Sequence, residues 1–223
     1  MTSLRGLIAF ALTSAGVAGC WSVLDLIPKD GPAPDSVDAA APPAPVHDAA
    51  VDHASGDALA AAPHRVFVTS TVHPGSSLAS SPDTACNAAA AAAGLPGRFV
   101  AWLSFTNAGA KDRLVEYGPW VTTLGQRVAT SKSDLTKGSI RAPITYDEHG
   151  KPFPAGRSPD LVWTGTDPGG RATSYACADW TGGAGSLNGT VGNVTQTGAS
   201  WTDDPSATAS CLSNYHVYCF EQP

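Results

Sequence analysis

Five cysteines, six histidines and nineteen carboxylates carry most of the reactive chemistry of this 223-residue chain. The cysteines fall at positions 20, 86, 177, 211 and 219. No two are two to four residues apart, so their spacing does not suit a zinc finger. Cys20 lies in an apolar N-terminal run, which leaves Cys86, Cys177, Cys211 and Cys219. Four cysteines in an exported chain read as two disulfides, with three pairings open. His216, Asp179 and Ser213 have the residue types of a nucleophilic triad. There is no Gly-x-Ser-x-Gly elbow to present a nucleophile, and a histidine in an apolar C-terminal run reads as a packed or edge residue. No enzyme activity and no cofactor are expected. Trp201 stands between Ser200 and Thr202 in a polar stretch and is followed by Asp203-Asp204. A ring beside two acceptors suits a hydroxyl-rich partner, and exposed aromatics are common anchors of recognition. The alternative is that Trp201 pins its stretch to the body. Asp179, Asp203 and Asp204 either converge as candidate ligand-binding acids or are solvated loop residues.

Charge sets limits on the partners. Only 14% of residues are charged, against about 25% in typical soluble domains. The chain holds 18 Pro and 23 Gly. This excludes a coiled coil, a charged disordered chain and a basic nucleic-acid binder. The net charge of −6 resides in the segment 25–63, which has seven Asp against one Lys, while 64–223 is close to neutral. A near-neutral body has no field to steer a polyanion, so no nucleic-acid partner is expected.

The first residues read as an address. Arg5 supplies the positive start, Leu7 to Val17 an apolar core, and Val17-Ala18-Gly19-Cys20 the end. This is the layout of a secretory signal. Its end resembles a bacterial lipobox, which implies cleavage after residue 19 and diacylglycerol on the Cys20 thiol. Residue 21 is Trp rather than Asp, which favours the outer membrane over retention at the inner one. The expectation is an outer-membrane lipoprotein of the bacterial cell envelope, facing the periplasm or the cell surface. Residues 20–63 then form a lipidated Cys and an Ala-, Pro- and Asp-rich linker with too little apolar surface to offset its backbone entropy. His47 and His53 lie there and read as inert.

The elements that must position any site begin near residue 64. Arg65–Ser70 is β-branched and aromatic and predicts a strand. Ser81 as N-cap, Pro82 at the first helical position and Asp83 in the first turn start a helix. Six consecutive Ala after Asn87 continue it, and Gly94 and Pro96 end it. Further strands are expected at Arg98–Ser104, Leu161–Thr164 and Tyr215–Phe220. Trp102, Trp120, Trp163 and Trp180 read as core. The Gly-, Ser- and Thr-rich segment Gly182–Ser200 reads as a surface loop closed by Trp201, where binding residues concentrate. The fold class is α+β, loop-rich, in one domain spanning 64–223.

Several of these residues, taken together, resemble a known family. Leu161-Val162-Trp163-Thr164-Gly165, Cys177-Ala178-Asp179-Trp180, and Cys211 with Asn214 to Glu221 resemble the endostatin-like branch of the C-type lectin-like fold. Phe67-Val68-Thr69-Ser70-Thr71, Ala101-Trp102-Leu103-Ser104 and Tyr218-Cys219-Phe220-Glu221 resemble bacterial surface lipoproteins, of the leptospiral and myxobacterial type, that carry a domain of unknown function. The resemblance implies the nested pairing Cys86–Cys219 and Cys177–Cys211. It also implies a membrane-anchored, non-catalytic binding domain for a glycan, matrix or protein partner, with adhesion as its role. A structural or envelope-assembly lipoprotein without a small ligand is the alternative. The calcium-binding tripeptides of sugar-binding members are missing here. Zinc in endostatin-type domains depends on an N-terminal histidine cluster, and here only His64 and His73 stand on either side of the first strand, which is too little. No metal is therefore expected.

Overall fold

In this computed structural model, residues 62–223 are described apart from 81, 116–117, 154–159, 184 and 186. The signal segment, Cys20, the linker and the Ser81 cap lie outside the described residues. Chain order runs β1 (His64–Val68), β2 (His73–Pro74), α1 (Pro82–Ala92), β3 (Arg98–Ala101), α2 (Ala110–Arg113), β4 (Trp120–Thr122), β5 (Arg127–Ala129), α3 (Lys132–Leu135), β6 (Leu161–Trp163), α4 (Cys177–Trp180), β7 (Asn188–Asn193), β8 (Thr208–Ser210) and β9 (Asn214–Gln222). The fold is α+β with a mostly sheet body.

β9 organises the sheet. It pairs antiparallel with β1, β2 and β3 and parallel with β6. The main path runs β5-β4-β1-β9-β6-β7-β8. Because side chains alternate across a strand, the apolar runs of β1, β3 and β9 feed two cores. Val66, Val68, Val100, Trp102, Tyr218 and Phe220 face one. Phe67, Phe99, Ala101, Leu103, Val217 and Cys219 face the other. Burial on both faces is why these strands read as continuous apolar stretches rather than alternating ones.

The helix α1 forms where alanine propensity and its N-terminal signals place it. The Asp83 carboxylate accepts from the Ala101 amide at 2.9 Å and pairs with Arg113 at 2.5 Å, so the first turn is tied to β3. Gly94 adopts φ +69°, which lets the Leu95 amide reach back to the Ala90 carbonyl at 2.9 Å and closes the helix. From the buried side of α1, Cys86 bonds Cys219 of β9, and Cys177 bonds Cys211. Trp102, Trp120, Trp163 and Trp180 are fully buried.

The segment Gly182–Ser200 departs from expectation. It contains β7, a six-residue strand paired with both β6 and β8, and Gly189, Thr190, Val191 and Gly192 within it are buried. The reason is steric. A Cβ on Gly189 would stand 2.7 Å from the Trp163 ring and 3.0 Å from the Cys177 sulfur. A Cβ on Gly192 would stand 2.1 Å from the Trp201 carbonyl oxygen. Glycine here makes room for indole and backbone rather than marking a turn.

Candidate functional site

The turn after β1 and a second turn at Asp147–Lys151 build one wall of a pocket. Thr69 anchors the first: its amide donates to the Val217 carbonyl at 2.9 Å, and its Oγ1 accepts from the Val217 amide at 3.1 Å. Asp147 organises the second, its Oδ1 accepting from the amides of His149 at 2.9 Å and Lys151 at 2.8 Å. This brings Glu148 against Ser70. The Ser70 amide donates to Glu148 Oε2 at 2.9 Å, and the Ser70 hydroxyl donates to Oε1. Glu148 is only 4% exposed. No Lys or Arg pairs with it among the described residues; Nε2 of His149 stands 3.8 Å from its Oε1.

The opposite wall is α1. Ala85, Ala88, Ala89 and Ala92 recur at helical spacing and present one apolar stripe. Because alanine is short, the stripe leaves a concavity. Together with Ser70, Thr71, His73, Glu148 and His149 it encloses a pocket of about 280 Å³. His216 lies behind this wall, its Nδ1–H donating to the Thr69 carbonyl at 2.6 Å and its ring edge-on to Phe153. Its packed position in β9 agrees with the sequence reading.

The residues nominated from sequence are placed elsewhere. Trp201 is fully buried, its ring tilted against Trp102 at 5.1 Å and 5.7 Å from Tyr218. Its expected role as an exposed recognition ring is corrected: its apolar area is spent on the core. Asp179 holds the Thr106 amide and hydroxyl at 2.6 and 2.7 Å. Asp204 caps its own turn through Ser206. Burial and the neighbouring Asp167 and Asp204 raise the pKa of Asp203. Asp203 thus sits with Asp167 and Asp204, while the Asp179 carboxylate is engaged at Thr106. Among the described residues no three His, Cys, Asp or Glu side chains form a group able to hold a metal ion. His216 bonds Thr69 and Asp179 bonds Thr106.

Four residues in a row, Cys177, Ala178, Asp179 and Trp180, have φ between 50° and 63°. Left-handed backbone costs about 1–2 kcal/mol per non-glycine residue. The turn is held by the Cys177–Cys211 disulfide, by Trp180 Nε1 donating to the Ser104 carbonyl at 2.8 Å, and by Asp179 on Thr106. These contacts assign Asp179 a positioning role in the fold.

Titration of the pocket wall has a calculable sign. Burial disfavours the imidazolium, so His73 and His216 hold pKa values below the ordinary 6.5. The Thr69 and Thr71 backbone and the Glu148 charge act the other way on His216 and offset burial only in part. A base with a depressed folded pKa binds its proton more readily when unfolded. The stability linked to these two groups is complete above the ordinary value and is lost as pH falls through it toward the folded values. The melting temperature should therefore drop between about pH 7 and pH 5, and His216→Gln should shallow that slope. A flat profile in the native protein over this interval would contradict the assignment.

The pocket was missed in sequence because its parts are ordinary when read singly: an alanine helix, a serine, an acidic turn. The usable signals were the alanine stripe at i, i+3, i+4 and i+7 and the Asp147-x-x-Gly150 turn carrying a glutamate. Comparison with known proteins finds no family model and no curated protein that matches the chain.

Proposed function

We propose that this protein is an outer-membrane lipoprotein that displays a non-catalytic recognition domain with a C-type lectin-like, endostatin-like fold. Cys20 carries the lipid, residues 20–63 act as the tether, and the domain meets a glycan, matrix or protein partner. The antiparallel pairing of β1 with β9 and the nested disulfides support the fold reading. The observation that carries the recognition reading is Glu148: a buried carboxylate on a pocket wall with no Lys or Arg beside it among the described residues. Buried charges are costly and are ordinarily paired. A carboxylate kept this way at an opening suits contact with something from outside.

The anchor and the site are tested separately. In a bacterial host the full chain should partition into the detergent phase, and Cys20→Ser should abolish that partition; wild-type chain recovered unacylated in the aqueous phase would refute the anchor. Arrays of glycans and matrix proteins probed with the full chain, with and without calcium, should yield a partner. Binding to that partner should fall at least tenfold in Ala88→Leu, which fills the pocket from an exposed helix position and touches no hydrogen bond of the wall. Unchanged binding in that variant would move the recognition site elsewhere.

A further inference from the structure

The pocket has a chemistry of its own, and this inference rests on the recognition reading above. One wall is a stripe of alanine methyl groups; the other is a carboxylate, two hydroxyls and two imidazoles. The carboxylate is fixed. Ser70 holds both of its oxygens, one through the amide and one through the hydroxyl, and Asp147 fixes the turn that carries it. A carboxylate oxygen accepts more than one hydrogen bond, so the grip of Ser70 leaves acceptor capacity on a residue that lines the pocket. His73, half-buried, stays largely neutral at neutral pH because burial disfavours its charged form. The carboxylate is set in a mostly apolar concavity, where interactions between charges are screened less than in water.

We infer that the pocket binds a primary alkylammonium group: the ammonium meets Glu148 and the alkyl stem lies along Ala85, Ala88, Ala89 and Ala92. An ammonium has three N–H donors and no acceptor, which matches a wall whose fixed member only accepts. A short methylene stem suits a wall of methyl groups, and a pocket of about 280 Å³ accommodates a side chain rather than a whole sugar chain. The same chemistry is found in a free amine and in a lysine side chain of a partner protein.

Titration calorimetry of the full chain with Nα-acetyl-lysine amide, n-butylammonium and Nα-acetyl-norleucine amide tests this. Norleucine keeps the stem and lacks the ammonium. Binding of either ammonium probe at least tenfold tighter than norleucine supports the inference, and the tighter of the two identifies the source. Glu148→Gln, whose amide oxygen still accepts from Ser70, should weaken the ammonium probes at least tenfold and leave norleucine unchanged. Equal binding of lysine and norleucine amides, or no loss in Glu148→Gln, overturns the inference. Should neither ammonium probe bind while Ala88→Leu still abolishes capture of an array partner, the ammonium inference fails and the recognition reading stands. Should Ala88→Leu leave both the ammonium probes and the partner unaffected, the two fail together.

Discussion

Replacing Cys86 and Cys219 together by alanine is expected to cost about 5 kcal/mol, because the disulfide closes a loop with a sequence separation of 133 residues and loop entropy grows with the logarithm of that length. Domains of this kind have about 5–15 kcal/mol in total, so the loss removes a large share of the fold. The location strengthens the effect. Cys86 lies on the buried side of α1 and Cys219 in the strand to which β1 and β3 pair, so the bond ties the helix to the centre of the sheet. The smaller loop of Cys177–Cys211, with a separation of 34 residues, gives about 4 kcal/mol by the same relation. Urea denaturation of the double variant against the native protein, both without reductant, measures the difference. A loss under about 1 kcal/mol would mean that residual structure already restricts the unfolded chain and that the entropic account fails here.

Trp201→Ala should cost about 3–5 kcal/mol, the range for truncating a fully buried large aromatic. The indole packs against Trp102 and Tyr218 and belongs to the core that also holds Trp120, Val162 and Phe220. Collapse into the space it leaves is opposed by its surroundings. Trp102 is tied through Nε1 to Thr202 Oγ1 at 2.8 Å, and the Thr164 hydroxyl donates to the Thr202 carbonyl at 2.5 Å. Trp201→Phe keeps a ring at the contact and should lose much less. Thermal melts of the two variants, followed by binding to any partner found on the arrays, separate packing from recognition. A Trp201→Ala protein that melts like the native one but no longer binds would return Trp201 to the recognition surface.

Much of α1 was legible because its determinants are local. Pro82, the alanine run and Gly94 act on their own backbone within one or two turns. The inner strands were legible because β1, β3 and β9 are buried on both faces, so their apolar runs needed no knowledge of register. Their positions agree with the sequence reading to within a few residues. The short strands β2, β4, β5 and β8 were not, since two or three residues carry no period. They exist because neighbouring strands offer unpaired backbone, which is a property of the sheet.

The count of cysteines and the α+β class were likewise determined along the chain: the first is a matter of composition, the second of local pattern. The disulfide partners were not. Residue spacing left three pairings open, and the observed one follows from α1 lying on β9 and the 177–180 turn lying beside Cys211. The same holds for Gly182–Ser200. Glycine shortens a side chain to nothing, and whether that space is solvent or another residue's ring depends on what folds against it. For Gly189 it is Trp163, 26 positions earlier, and for Gly192 the backbone of Trp201. Trp201 itself shows the converse, a ring flanked by polar neighbours that turns inward because Trp102 and Tyr218 supply an apolar place for it. The pocket depends on tertiary structure most of all. A carboxylate's environment is set by the groups around it in space, and Glu148 takes its character from Ser70, 78 residues away, and from a helix whose alanines, read in order, say only that they are helical.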